Sequence, residues 1–91
     1  MRYVITYERE VMRKDIPALP VKEGEQIRIA IERKLTEHPE IFGKPLRGTL
    51  KNHWSLRVGD YRVVYRMSGG TVHIFAIELR QTVYQTARKR I

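Results

Sequence analysis

The sequence contains no cysteine, which excludes disulfide bonds and thiolate metal ligands. No apolar run approaches the roughly 20 residues that a membrane-spanning helix needs. The opening stretch, MRYVITYERE, lacks the apolar core of a secretory signal peptide. We therefore expect a cytoplasmic protein. The 91 residues suffice for one modest hydrophobic core, so we predict a single domain over residues 1–91.

Carboxylates are scarce in the second half of the chain. Lys and Arg number nine in residues 1–45 and nine in residues 46–91, but Asp and Glu number eight in the first half and two in the second. The net charge of +8 therefore divides into +1 and +7. A basic half beside a nearly neutral half is typical of a surface that binds a polyanion, either a nucleic acid or an acidic protein. A basic surface with no such partner is the alternative.

The familiar motifs of nucleotide and metal chemistry are also missing. The sequence has no Walker loop, no GxGxxG and no HExxH, and its three histidines lack the spacing of metal ligands. We expect no cofactor and no metal. Cleavage of RNA remains open to such a chain, because the 2′-OH of RNA can attack the neighbouring phosphate. The protein then has to move two protons and stabilise the added negative charge.

The first half of the chain has the periodicity of a strand followed by two helices. Residues 3–7 alternate as a strand does, and residues 8–16 form a short amphipathic helix that must stop at the prolines that follow. The second helix covers residues 21–40 and is expected to end at Pro39. Its apolar face consists of three residues spaced four apart, Ile27, Ile31 and Leu35, which Ala30 joins.

The second half is predicted to form three antiparallel strands over residues 53–79, divided by turns at Gly59-Asp60 and Gly69-Gly70. Two helices cover one face of this sheet and leave the other open. The fold class is therefore α+β. We predict two N-terminal helices on one face of a mostly antiparallel four-stranded sheet, in the order β-α-α-β-β-β. The tail TVYQTARKRI is compatible with a short C-terminal helix.

A two-residue turn at Gly59-Asp60 fixes which side chains share a face, because directly paired residues point the same way. The core face then carries six residues: Trp54, Leu56, Val58, Tyr61, Val63 and Tyr65. A similar turn at Gly69-Gly70 adds four more to that face: Met67, Val72, Ile74 and Ala76. The second face receives the remaining residues of the three strands: His53 paired with Arg66, Ser55 with Val64, Arg57 with Arg62, then His73, Phe75 and Ile77.

Arg57 faces Arg62 on this second face, and like charges directly opposite each other are unfavourable. The predicted register places no carboxylate of these strands where it would neutralise the pair. We infer that an anion lies between the two guanidinium groups; the alternative is that both side chains splay into water. The candidates for proton transfer are His53, Lys51 and Tyr84. Their plainer roles are a surface strand residue, a solvated loop charge and a packing residue of the tail.

Two segments, KPLRGTLKNHWSLRVGDYRVVYRM and AIELRQTVYQ, resemble the RelE/ParE superfamily of bacterial and archaeal toxins. The upstream KDIPALP and LTEHPEIFGKPLRG fit the same pattern, so the resemblance covers nearly the whole chain. The block LRVGDYRVVY is fairly specific to the superfamily but separates RelE from ParE members less well. The resemblance implies a compact fold like that of the microbial ribonucleases, which agrees with the predicted order of elements.

The resemblance also implies a function. RelE-type toxins cut messenger RNA in the ribosomal A site without a metal, and a cognate antitoxin wraps and silences them. ParE-type toxins share the fold, poison DNA gyrase and lack the nuclease residues. The leading hypothesis is a RelE-type, ribosome-dependent mRNA endoribonuclease. The alternatives are a ParE-like gyrase inhibitor and a catalytically weakened member of the family.

The same resemblance assigns site residues. Arg62 matches the arginine that contacts the scissile phosphate in RelE enzymes. Arg80 and Tyr84 match the arginine and the tyrosine of the family's HR..VY segment, in which the tyrosine acts as a general base or stacks on a nucleobase. With His53 as a proton carrier, they form the expected catalytic group. Four further cations are expected to bind RNA phosphates: Arg57, Lys51, Arg66 and Arg47.

The sequence departs from the best-known RelE enzymes at three positions. Lysines of those enzymes fall here on His53 and Ser55, and Leu79 stands where many relatives have histidine. His53 could replace a lysine as a proton carrier, whereas Ser55 cannot replace a charge. These departures keep the ParE-like inhibitor and the weakened enzyme among the alternatives.

Overall fold

The computed structural model describes residues 2–91 and contains one mixed five-stranded sheet. The strands are β1 (Val4–Tyr7), β2 (Lys44–Pro45), β3 (Trp54–Val58), β4 (Tyr61–Ser68) and β5 (Thr71–Leu79). Their order across the sheet is β1-β5-β4-β3-β2, and only β1 and β5 run parallel within the described chain. The predicted α+β class and the mostly antiparallel sheet are confirmed. The prediction of four strands missed the two-residue strand β2.

Helix α1 consists of a π-helical turn at Val11–Asp15 and an α-helical turn at Ile16–Ala18. Helix α2 covers Val21–Ala30 and continues as a π-helical turn at Ile31–Leu35. Two further helices are α3 (Pro39–Phe42) and α4 (Arg80–Arg90). The prediction that Pro39 ends the second helix is wrong. That helix ends at Leu35, and Pro39 begins α3. The fixed φ angle of proline suits the first turn of a helix, where its missing N–H has no intrahelical partner to lose. Among the described residues, every helix is too short or too polar to cross a membrane.

The first face of the sheet packs against α1 and α2. The predicted apolar face of α2 is confirmed, because Ile27, Ile31 and Leu35 are at most 2% exposed. They form one core with nine of the ten sheet residues predicted for this face, all except Ala76: Trp54, Leu56, Val58, Tyr61, Val63, Tyr65, Met67, Val72 and Ile74. Burying each large aliphatic side chain of this kind stabilises the fold by about 2 kcal/mol.

The hairpin of β3 and β4 has the predicted register. Gly59 has a φ of +60°, a conformation that glycine adopts without a steric penalty, and it allows the tight turn. Arg57 pairs directly with Arg62, as predicted. The ladder ends one pair earlier than expected, so the predicted pairing of His53 with Arg66 does not form.

A β-bulge changes the register between β4 and β5. Tyr65 pairs with Ile74, but the preceding residue, Val64, pairs with Ala76. Phe75 of β5 is therefore the extra, unpaired residue of the bulge. Beyond the bulge, every side chain of β5 changes face. Ala76 therefore joins the second face and Ile77 joins the core, the reverse of the prediction.

Helix α4 covers part of the second face, which the sequence analysis had left open. Val83 and Ala87 lie one turn apart on α4 and are fully buried. They pack against residues of the sheet and of the preceding loop: Val64, Ala76 and Leu50. The part of this face beside the first turn of α4 stays uncovered, and the strand arginines lie there.

Candidate active site

A cavity of about 460 Å³ opens between the second face of the sheet and the first turns of α4. Four cationic side chains line it: Lys44, Arg57, Arg62 and Arg80. The rest of the lining is uncharged: Phe42, Pro45, Leu46, Ser55 and Tyr84. A smaller adjoining cavity of about 200 Å³ shares the three arginines. The structure thus brings four of the predicted site residues together in one place.

The hairpin and the start of α4 position the three arginines. Arg57 and Arg62 are brought side by side by the pairing of β3 with β4. The backbone N–H of Arg80 donates to the carbonyl of Asp60 in the hairpin turn at 3.0 Å, so the first residue of α4 is held against the hairpin. The first turn of α4 adds the partial positive charge of a helix N-terminus to this region.

The guanidinium of Arg62 is held in place by its own hairpin. Its Nη1 donates to the carbonyls of Gly59 at 3.0 Å and Tyr61 at 2.8 Å. Over residues 2–91, the ion pairs of the structure involve none of the three cavity arginines. The cavity therefore presents positive charge that internal carboxylates leave available to an anion.

Glu78 is brought opposite Arg62 by the bulge. This corrects the expectation that no carboxylate of these strands faces the arginine pair. The Glu78 carboxylate is turned to α4 instead, where its Oε1 accepts a hydrogen bond from Thr86 Oγ1 at 2.7 Å. Asp60 is the acidic residue in the lining of the smaller cavity, against three arginines, so the balance of charge stays positive.

Tyr84 projects from α4 into the cavity and is held there by Ser55. The two hydroxyl oxygens lie 3.1 Å apart and share a hydrogen bond. Ser55 is only 7% exposed, so the phenol is anchored to the sheet. A phenol both donates and accepts hydrogen bonds, which suits it to proton transfer.

Lys44 is a cation of the site that the sequence analysis missed. It pairs with Ser55 across β2 and β3, so the two side chains share a face of the sheet. Lys44 thus lies next to Ser55, the position at which the resemblance to RelE enzymes predicts a lysine. The signal in the sequence is the step from Lys44 to Pro45, because a residue before proline favours an extended backbone.

His53 lies outside the cavity lining. It is 5% exposed, its Nδ1 lies 3.2 Å from the carbonyl oxygen of Lys51, and its ring packs edge-on against Phe75. Its Nε2 is buried and has no hydrogen-bond partner within residues 2–91. A side chain so enclosed is poorly placed to exchange protons with RNA, which argues against the catalytic role predicted for His53.

The other predicted cations are exposed but do not line the cavity: Lys51, Arg66 and Arg47. From these positions they add to the positive potential around the site. In the described part of the chain, no three His, Asp or Glu side chains are grouped to hold a metal ion.

Comparison with known protein families gives two matches to toxins. The family model described as the ParE toxin of type II toxin–antitoxin system, parDE, matches residues 13–84. The Toxin RelE of Mycobacterium tuberculosis is 36% identical over 74 residues, which are 79% of this chain and 76% of that toxin.

Solved structures have the same fold. The toxin–antitoxin complex RelBE2 from Mycobacterium tuberculosis contains a chain that superposes with a TM-score of 0.81 at 29% identity, over 88% of this chain and 93% of that one. A mutant of the E. coli toxin RelE in the free state matches with a TM-score of 0.80 over 100% of this chain and 99% of its own. At 23% identity, that second likeness shows the fold alone. With a family model over most of its length and a curated relative above 30% identity, this chain belongs to the RelE/ParE superfamily of toxins of toxin–antitoxin systems.

Proposed function

We propose that this toxin is a ribosome-dependent endoribonuclease that cuts messenger RNA without a metal. The nucleophile is the 2′-OH of the RNA, which attacks the adjacent phosphate and releases the 5′-oxygen of the next nucleotide. The observation that carries the proposal is the convergence of Arg57, Arg62, Arg80 and Tyr84 on one cavity.

The arginines bind the scissile phosphate and stabilise the charge that it gains in the transition state. A guanidinium stays charged at any ordinary pH, and its planar fork matches two phosphate oxygens. Arg62 is the best prepared of the three, since two backbone carbonyls already fix its guanidinium. Donors that are oriented in advance stabilise a transition state without a cost of reorganisation.

Tyr84 and Lys44 are the proposed groups for proton transfer. One proton has to leave the 2′-OH and another has to reach the leaving 5′-oxygen. The Tyr84 hydroxyl is oriented by Ser55, and the Lys44 ammonium lies on the same face of the sheet. Lys44 also supplies a positive charge next to Ser55, which cannot carry one. Together they replace the pair of lysines that the family pattern would place at His53 and Ser55.

A cognate antitoxin is the proposed partner in the resting cell. The similar chain in the RelBE2 structure is part of a toxin–antitoxin complex. On this chain, an acidic segment of the antitoxin would neutralise the cationic cavity and exclude RNA from it. A small acidic reading frame beside the gene would support this partner.

A ParE-like inhibitor of DNA gyrase is the second candidate, and the match to the ParE family model favours it. Such a protein would bind gyrase without any chemical step, so it needs no proton-transfer group. A supercoiling assay separates the two candidates. Inhibition of purified gyrase by stoichiometric amounts of the protein would support the ParE-like function.

Translation in vitro with toe-printing of the messenger tests the nuclease directly. We expect new 5′ ends within the codon in the ribosomal A site when ribosomes are present, and none on the same messenger without ribosomes. The matched control is the protein with Arg62→Ala and Arg80→Ala. An intact messenger after incubation of ribosomes with the wild-type protein would overturn the proposal.

A further inference from the structure

Phe42 is a large aromatic side chain at the rim of the cavity. It lines the cavity together with the arginines and Tyr84, and 46% of its surface is exposed. It belongs to neither of the two hydrophobic clusters of the described residues. Packing of the core therefore does not account for an aromatic residue at this position.

The backbone that carries Phe42 is fixed to the core. The buried hydroxyl of Tyr65 donates to the carbonyl of Pro39, the first residue of α3, at 2.5 Å. The N–H of Phe42 donates to the carbonyl of His38 at 3.1 Å and closes the turn. Gly43 then packs so closely on Tyr65 that a Cβ at position 43 would overlap the phenol hydroxyl. Helix α3 is thus a rigid support that ends at the cavity.

The ring of Phe42 also has a cationic neighbour. The ammonium of Lys34, on α2, lies over the ring, with its nitrogen 5.4 Å from the ring centroid. This contact restrains the orientation of the ring before any ligand binds. An aromatic group that is already ordered loses less entropy when a ligand stacks on it.

We propose that Phe42 is a stacking platform for an unpaired base of the RNA, next to the phosphate that the arginines hold. This inference rests on the proposed nuclease function and adds a substrate-positioning residue to it. Proteins recognise single-stranded RNA by stacking its bases on aromatic side chains while cations bind its backbone. The cavity provides both, because its lining includes three arginines, Tyr84 on α4 and Phe42 at the end of α3.

The role of the stacked base is to align the reacting nucleotide. In-line attack requires the 2′-oxygen, the phosphorus and the leaving 5′-oxygen to be nearly collinear. Unrestrained single-stranded RNA rarely adopts that geometry. A base held on Phe42 fixes one end of the nucleotide while Arg62 fixes its phosphate. Positioning of this kind lowers the barrier without any chemical role for the ring itself.

Four variants separate stacking from simple apolar contact. Phe42→Ala and Phe42→Leu are both expected to lower kcat/KM for cleavage of ribosome-bound messenger about 10- to 100-fold, because leucine fills the space but offers no π face. Phe42→Trp should keep the rate within about threefold, since tryptophan stacks at least as well. The control is Ile41→Ala, which removes a neighbouring side chain that is 67% exposed and does not line the cavity. It should cleave like the wild type.

A second measurement follows the base itself. The probe is a set of messengers with 2-aminopurine at one position of the A-site codon, each carrying a 2′-deoxy sugar at the cleavage position so that it is bound and not cut. We expect the wild type and Phe42→Trp to quench the fluorescence at one position, and Phe42→Leu to leave it bright. Equal quenching by Phe42→Leu, or wild-type cleavage by Phe42→Ala, would overturn the platform while the nuclease function stands. Failure of the wild type to cut an all-ribose messenger would overturn both.

Discussion

The carboxylate of Asp15 and the guanidinium of Arg90 form a bidentate ion pair. The distance from Oδ2 to Nη1 is 2.8 Å, and that from Oδ1 to Nη2 is 2.9 Å. Each partner also binds the backbone of β5 near its bulge. Arg90 Nη1 donates to the carbonyl of Phe75 at 3.0 Å, and the N–H of Ile77 donates to Asp15 Oδ2 at 2.8 Å. The pair therefore joins α1, the bulge and the last turn of α4. Through α4 it supports the position of the cavity residues at the other end of that helix.

Loss of the Asp15 carboxylate should destabilise the fold markedly. Only 2% of the Asp15 side chain and 12% of the Arg90 side chain are exposed. The hydrogen bonds that Arg90 donates to Asp15 raise the pKa of Arg90, so a variant without the carboxylate leaves a buried charge unpaired. We expect Asp15→Ala to lower the free energy of unfolding by about 3 kcal/mol, measured by urea titration.

The matched control for that variant is the exposed cluster of Arg28 with Glu25 and Glu32 on α2. Arg28→Ala should change the free energy of unfolding far less than Asp15→Ala does, because water screens exposed ion pairs. A loss below 1 kcal/mol in Asp15→Ala itself would show that the buried pair is not what fixes α4.

The arginines of the cavity should be required for toxicity and not for folding. Arg62→Ala combined with Arg80→Ala is expected to abolish growth arrest on induction, and each single change should lower the cleavage rate about 100-fold. Arg66 lies on the same strand and face as Arg62 but outside the cavity, so Arg66→Ala is the matched control and should change the rate less than about threefold. Circular dichroism checks the fold. Undiminished toxicity of the double variant would place the active site elsewhere.

The sequence predicted the main core because alternation and turn chemistry agree there. The turn at Gly59 sets the register of β3 and β4, and the apolar residues of α2 keep one spacing throughout. The bulge in β5 could not be read in this way. Phe75, Ala76 and Ile77 are all apolar, so alternation gives no sign of which of them changes face. Only packing of α4 on one side and α1 on the other decides it.

The residues that line the cavity were predicted in part, for a similar reason. Arg62 and Tyr84 stand in or beside regular elements, and the family pattern marks them directly. Phe42 and Lys44 were missed because they reach the cavity from two short elements, α3 and β2, whose position depends on Tyr65, 21 positions or more along the chain. The burial of His53 was missed too, since it depends on contact with Phe75 and not on local sequence.

The hydroxyl of Tyr65 should make stability fall at alkaline pH. Burial, with a smaller contribution from Glu40, raises the pKa of this phenol in the folded state. The unfolded chain therefore loses the proton first, and the stability that the hydroxyl provides is present below about pH 10 and is lost as the pH rises beyond it. Tyr65→Phe should cost about 1 kcal/mol at pH 7, because the buried Pro39 carbonyl loses its donor. Its stability should then fall less steeply than that of the wild type above about pH 10. The check is to measure the free energy of unfolding of both proteins by urea titration at several pH values. An identical dependence of that free energy on pH in the two proteins would contradict this account.

Lys44 should act through its charge. If its ammonium contacts an RNA phosphate, Lys44→Ala should reduce the slope of log affinity against log salt concentration by about 0.7, the value for one contact to single-stranded RNA. Lys44→Arg should keep the slope. The control is Lys51→Ala, since Lys51 is exposed and lies outside the cavity. Binding is measured on messenger with a 2′-deoxy cleavage position, and an unchanged slope in Lys44→Ala would remove Lys44 from the site.

Tyr84→Phe tests the chemical step most directly, because it removes one oxygen and keeps the ring. We expect kcat to fall about 100- to 10,000-fold while KM changes little, as for loss of a proton-transfer group. Ser55→Ala leaves the Tyr84 hydroxyl in place but removes its partner at 3.1 Å, so the phenol is less well oriented. That variant should lose only about tenfold in kcat, in line with the contribution of one hydrogen bond. Full activity in Tyr84→Phe would assign proton transfer to another group of the cavity. A larger loss in Ser55→Ala than in Tyr84→Phe would show that Ser55 acts on the RNA itself, and not through the tyrosine.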